Sequence, residues 1–194
     1  MRSMIETRQV AKYVLSRSDH SLSGKKLQKL VYYCEAWHST ALDRPLTTEV
    51  PQAWDHGPVF RSLWDRLGYS FGLTFRSNLT DVPMPKLPED SRAVLDAVLD
   101  FYGDWSERKL IDTSHDERPW KKAREKFGRN APITHESMRK FYSGMIARNE
   151  ARPNLPVSLY SYVLAEDMER IKSSLDDIAP SPGLVSMLVK AKTG

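Results

Sequence analysis

The sequence predicts a mainly α-helical protein organised around one central buried helix. The first observation is the run KKLQKLVYYCEAWHSTAL, about residues 25–42, where apolar residues follow helical spacing on most sides. The second is that most other segments repeat this period, whereas only one short stretch is typical of a strand. The third is a hydrophobic content of 40% in 194 residues, which is enough to bury a core. We therefore expect a compact helical domain.

The central helix should present a broad apolar surface and one narrow polar stripe. A small residue before the pattern, Ser23, is a suitable N-cap. Cys34 lies on the apolar side and should be buried as a small hydrophobic residue. The apolar face contains Leu27, Leu30, Val31, Cys34, Trp37, His38 and Ala41. The stripe expected to face water contains Lys25, Gln28, Lys29, Tyr32, Glu35 and Ser39.

The elements around this helix follow in order along the first half of the chain. Residues 5–16 have the spacing of a short amphipathic helix. Residues 46–54 predict a short strand or hairpin, because β-branched residues and Pro51 favour extended backbone. Gly57 permits a turn, and Pro58 suits the first position of a helix, which Gly68 would end.

The second half predicts further helices separated by short turns. Residues 70–88 contain three prolines and no clear period, which indicates a long loop. Residues 89–102 form an amphipathic pattern that ends before a glycine. Asp104 resembles the N-cap of a capping box, Pro119 should open another helix, and Thr134 should cap one more. The total is six or seven helices before residue 152.

The chain divides into a helical domain over residues 1–150 and a C-terminal helical extension over residues 153–194. The sequence RPNLP at 152–156 breaks the helical pattern between them. The extension carries apolar residues at alternating steps of four and three, a narrow seam suited to one partner helix. This seam could bind a partner, pack on its own domain or pair with a second copy. Its candidate contact residues are Leu164, Met168, Ile171 and Leu175.

Charge is concentrated in one segment. The net charge is +4, but residues 118–140 contain eight basic residues and two acidic ones. Such a block can attract an acidic protein surface or nucleic acid. Two short helices around residues 115–127 could form a helix-turn-helix. The candidate nucleic-acid contacts are Lys121, Lys122, Arg124, Lys126 and Arg129.

The residue patterns do not favour an enzyme. The five histidines have no partner at recognised metal-ligand spacing, and HExxH and CxxC motifs do not occur. Neither a GxSxG elbow nor a phosphate-binding glycine loop is present. We therefore expect no catalytic residues, no metal and no cofactor. With no long apolar run, we also expect a cytoplasmic protein with no membrane partner.

Two features remain as candidates for partner binding on the predicted domain. The DHGP turn could hold an anion or carboxylate at a helix start, with His56 beside it and basic residues of the central helix nearby. The five tryptophans either fill the core or anchor an interface. The candidate contact residues here are Lys25, Lys29, Tyr33, Trp37, Trp54, His56, Gly57 and Phe60.

Three separated motifs resemble the Panacea domain family of bacterial and phage antitoxins. They are KLQKLVYY with Trp37, the run AWDHGPVF at 53–60, and the run from His115 to Arg124. The resemblance covers roughly residues 5–150 and implies a small helical protein that binds and neutralises a cognate protein toxin without catalysis. It also implies a phage-associated or phage-defence setting, with a homodimer or a heterotetramer with the toxin among the expected assemblies. A DNA-binding autoregulator and an adaptor for a protease are the alternatives.

Overall fold

The computed structural model describes residues 4–18, 22–67, 73–74 and 79–156, and the fold is mainly α-helical, as predicted. Seven helices lie in this described part of the chain. The first four are α1 Thr7–Ser16, α2 Gly24–Leu42, α3 Arg61–Leu67 and α4 Glu89–Tyr102. The other three are α5 Glu107–Asp116, α6 Arg118–Phe127 and α7 His135–Ala147.

Helix α2 is the centre of the molecule, and α1, α4, α5 and α7 all pack against it. Its largest buried side chains include Trp37, Tyr32 and Tyr33. The predicted water-facing stripe is wrong for five of its six residues, since at most 2% of each is exposed. These five are Gln28, Lys29, Tyr32, Glu35 and Ser39. The pattern failed because Gln28, Lys29 and Glu35 bond to other segments inside the fold rather than to water.

Two small sheets accompany the helices in the described part of the chain. Strand β1 (Leu22–Ser23) pairs with β4 (Leu73–Thr74), and a three-stranded antiparallel sheet has the order β3-β2-β5. Its strands are β2 Gln52–Trp54, β3 Gly57–Val59 and β5 Ala131–Pro132. The predicted strand or hairpin over residues 46–54 is therefore confirmed in its last part, with β2 and β3 joined by a tight turn.

The predicted start of a helix at Pro58 is wrong. Pro58 lies in β3 opposite Ala53, and α3 begins three residues later at Arg61. Gly57 does make the predicted turn, with φ of 90°. The strand forms because β2 offers hydrogen-bonding partners to this segment, and a fixed φ near −65° is tolerated at the start of an edge strand. Gly68, the predicted end of that helix, lies outside the described residues.

Local capping explains where several helices begin. Ser23 accepts from the backbone N–H of Lys26 at 3.1 Å, and Thr134 accepts from that of Ser137 at 3.2 Å, as predicted for both. Asp104 is not the N-cap of α5. Ser106 takes that position, and its hydroxyl accepts from the N–H of Lys109 at 3.2 Å.

The described chain ends at Pro156, with Leu155 still inside the hydrophobic core. The predicted helices of the extension therefore lie outside the described residues. Within the described ranges, no helix is both long enough and apolar enough to span a membrane.

Candidate partner-binding site

The β2–β3 hairpin is fastened to α2 by two buried polar side chains. The amide of Gln28 donates to the carbonyl of Phe60 at 3.1 Å and accepts from its N–H at 2.9 Å. Lys29 Nζ donates to the carbonyl of Pro58 at 3.0 Å. Because buried backbone groups must be paired, these bonds fix the chain as it leaves the hairpin. Two of the sequence motifs thus meet here.

Helix α5 packs over the same lysine, just before the third motif. A Cβ on Gly57 would lie 2.6 Å from Lys29 Cε and 2.8 Å from Ser114 Oγ, so only glycine fits between them. Burial lowers the pKa of Lys29 to about 7, while attraction to Glu107 partly opposes this shift. The lysine is therefore an internal anchor for the hairpin that is readily neutralised.

Helix α6 holds the tip of the hairpin from outside. Arg124 Nη2 donates to Asp55 Oδ1 at 2.8 Å, and Arg129 forms a second ion pair with the same carboxylate. The indole N–H of Trp120 donates to the carbonyl of Trp54 at 3.0 Å. Hydrogen bonds from both arginines lower the pKa of Asp55. The tip and α6 consequently form one continuous surface.

Partly exposed aromatic rings border this surface. The rings of Trp54 and Trp64 lie 5.3 Å apart, and the guanidinium of Arg61 lies 5.9 Å from the Trp54 ring. On the other side of the hairpin, Trp120 packs against His115 with ring centroids 4.4 Å apart. Such rings offer apolar area at low conformational cost, which suits protein–protein contacts.

Glu35 fastens a second loop to α2. Its carboxylate accepts from the backbone N–H groups of Leu46 and Thr47 at 3.1 and 2.8 Å, and from Ser39 Oγ at 2.8 Å. His135 Nε2, at the start of α7, lies 3.0 Å from the same carboxylate. Burial alone would raise the pKa of Glu35, but hydrogen bonds from His135, Thr47 and Ser39 outweigh it and lower the pKa.

Glu117 is the second buried carboxyl group among the described residues, and it is the single residue between α5 and α6. The hydroxyl of Tyr33 donates to its Oε1 at 3.2 Å, and that of Tyr142 donates to Oε2 at 2.7 Å. Burial raises the pKa of Glu117 to about 8 in spite of these two bonds. The raised pKa favours the protonated, neutral form of this group, which ties α2, α6 and α7 together.

The structure separates the predicted contact residues into buried and surface groups. Trp54 is half-buried, Lys25 is partly buried and His56 is exposed at the hairpin tip. The others on the domain are buried: Lys29, Tyr33, Trp37, Gly57 and Phe60. These residues therefore pack inside the domain rather than at its surface. The residues Leu164, Met168, Ile171 and Leu175 lie outside the described part of the chain.

The basic segment is partly neutralised by acids of the same chain. Lys121 pairs with Asp116 at 3.1 Å, and Arg124 and Arg129 share Asp55. Helices α5 and α6 are joined by one residue, whereas a helix-turn-helix usually has a turn of three or four. The predicted helix-turn-helix geometry at 115–127 is therefore not formed. Among the described residues, no group of three or more metal-ligating side chains is close enough to hold an ion.

Comparison with protein families identifies the domain. Residues 27–121 match the family model described as antitoxin SocA-like, Panacea domain. The chain contains a Panacea domain. The matched segment runs from the first turn of α2 to the first turn of α6 and includes the hairpin and its anchors. This match supports an antitoxin role in general terms. No curated protein and no solved structure matches the chain.

Sequence reasoning missed the polar interior of this Panacea domain. Gln28 and Glu35 were assigned to solvent, and Glu117 and His135 were given no partner. A usable signal was present for the first two, because they lie on a helix whose other faces are almost entirely apolar. Polar residues on such a helix often satisfy buried backbone groups. For Glu117, no local pattern indicates that two distant tyrosines will donate to it.

Proposed function

We propose that this protein is an antitoxin that binds a cognate protein toxin directly and neutralises it without catalysis, in the cytoplasm. The observation that carries the proposal is the Panacea domain of the SocA-like antitoxin family over residues 27–121. Toxin neutralisation by contact requires a stable scaffold and an exposed surface, and the hairpin anchored on α2 provides both.

The arrangement of buried charges supports binding rather than chemistry. Lys29, Glu35 and Glu117 have shifted pKa values, which often mark catalytic groups. Each of them, however, is buried and hydrogen-bonded to backbone or side-chain groups of the fold itself. Their role is to join α2 to the hairpin, to the 46–47 loop and to α7.

The test is growth of cells that express the protein encoded beside this chain, with and without this chain. Restored growth, together with co-elution of the two proteins on size-exclusion chromatography, would support the proposal and give the stoichiometry of the complex. A neighbour that is harmless, or a toxic neighbour that this chain neither binds nor neutralises, would refute it.

A protease adaptor would also restore growth, so the test needs a second measurement. Direct neutralisation predicts that the toxin stays at an unchanged level while growth recovers. An adaptor predicts that the toxin is lost, and that its half-life returns to normal in cells lacking the relevant protease. A quantitative blot of the toxin during recovery distinguishes the two.

A further inference from the structure

The end of α6 carries the most exposed large apolar side chain among the described residues. Phe127 is the last residue of α6, and 63% of it is exposed. Lys126 Nζ lies 4.9 Å from the centre of its ring. Gly128 follows with φ of 81° and with no other atom within 4 Å of where a Cβ would lie. The phenyl ring therefore stands at an open corner of the domain.

Further basic residues lie near Phe127 in sequence, on α6 and just after it. We call the set Lys122, Arg124, Lys126, Phe127 and Arg129 the α6 face. Asp55 is the carboxylate bound to it, through Arg124 and Arg129. Glu125 is a second acid, exposed on the same helix, so four cations and two anions leave this end of α6 with a net charge of +2. An exposed apolar side chain beside like charges is typical of a contact that excludes water at its centre and is steered at its rim.

The α6 face lies beyond the segment that matches the family model, which ends at residue 121. The match to the family model therefore gives no information about these residues. The hairpin that supports the face, in contrast, lies within the matched segment.

A protein fits the α6 face better than a nucleic acid does. Two of the four cations already share Asp55, which reduces what they can offer to phosphate groups. Duplex DNA is bound largely through many phosphate contacts, which depend on available cations rather than on an exposed phenyl ring. An acidic protein surface with an apolar depression complements both the charge and the ring.

We propose that the α6 face is the surface that binds the toxin, and that the toxin presents an apolar depression bordered by acidic residues. This inference rests on the proposed antitoxin function. Phe127 would fill the depression, while Lys122 and Lys126 would pair with its acidic border. Asp55 would keep Arg124 and Arg129 oriented on the same side.

The experiment measures the affinity of full-length variants for the protein encoded beside this chain. The Phe127→Ser variant and the Lys122→Glu, Lys126→Glu double variant should each bind about tenfold more weakly or worse. Matched controls are Met84→Ser, which alters a residue 46% exposed elsewhere, and the double variant Lys86→Glu, Arg92→Glu. The controls should stay within about twofold of the original chain.

Salt dependence gives a readout that a folding defect would not produce. Raising the salt concentration should weaken binding of the original chain, and should weaken the Lys122→Glu, Lys126→Glu variant much less. Each variant is also checked for an unchanged thermal unfolding midpoint, which is expected because these side chains are exposed.

The outcomes separate this inference from the proposed function. If the original chain binds the neighbouring protein and the α6-face variants bind equally well, the inference is wrong and the antitoxin function stands. If the original chain does not bind at all, the function fails and the inference fails with it. If the double variant keeps the protein partner but loses binding to a duplex of its own promoter, the face belongs to nucleic acid and the inference is overturned.

Discussion

The buried acid Glu117 gives a sharp test of the packing between α2, α6 and α7. Its pKa is raised from 4.5 to about 8 in the folded chain. Between these two pH values, Glu117 therefore keeps its proton in the folded chain and releases it in the unfolded chain. The folded state thus binds more protons than the unfolded state, and stability must fall as pH rises from about 4.5 to about 8. This contribution falls by about 3 kcal/mol between pH 5.5 and 8.5.

Replacing Glu117 with glutamine removes the ionisation and keeps the shape. The hydroxyls of Tyr33 and Tyr142 can donate to the new carbonyl oxygen or accept from the new amide, so both contacts survive. We expect the free energy of unfolding of Glu117→Gln, relative to the original chain, to increase by about 1 kcal/mol for each pH unit between 5.5 and 8.5. Other groups, such as Lys29, titrate equally in both proteins and cancel.

The assay is urea unfolding followed by tryptophan fluorescence at several pH values and constant ionic strength. The matched control is Glu125→Gln, at an exposed position on the adjoining helix α6, which measures the effect of the same exchange at the surface. A difference between Glu117→Gln and the original chain that is constant across this range would refute the reasoning. It would mean that Glu117 ionises as readily in the fold as in the unfolded chain.

Three further predictions concern single residues. Gly57→Ala should destabilise the fold by about 2 kcal/mol more than Gly128→Ala. Both glycines have positive φ, but only at Gly57 would a new Cβ lie within 3 Å of other side-chain atoms. Equal shifts of the thermal unfolding midpoint in the two variants would contradict this. Glu35→Ala should lower the free energy of unfolding by about 3 to 5 kcal/mol in urea, because it leaves buried donors unpaired. The control Glu136→Ala, at an exposed position, should lower it by less than about 1 kcal/mol. Burial lowers the pKa of His38 to about 4, so the free energy of unfolding should fall as pH drops from 6.5 towards 4. In the same assay, His38→Gln should lose less stability over this pH range than the original chain, and an equal loss would contradict the prediction.

Helical periodicity predicted much of the architecture because it depends on neighbouring residues. The central helix was expected at about residues 25–42 and spans Gly24–Leu42. The helix at 89–102 and the N-cap at Thr134 were also predicted correctly. Each of these features is determined by spacing or by a side chain within three residues of the backbone group it caps.

The site was less predictable, because its contacts join segments far apart in sequence. Lys29 and Pro58 are separated by 29 residues, and Arg124 and Asp55 by 69. Local rules correctly assigned the turn at Gly57, but they placed a helix start at Pro58. The strand formed because β2 was close enough to pair with it, which no local pattern shows.

By itself, the sequence determined that this protein is mainly helical, that one apolar helix lies at its centre and that its motifs resemble Panacea antitoxins. Only the tertiary structure decided that the polar side of this helix is internal, and that the hairpin and α6 form one surface. The physical reason is that apolar burial follows local spacing, whereas a buried polar group is stable only beside a specific partner. The position of that partner is a property of the complete fold.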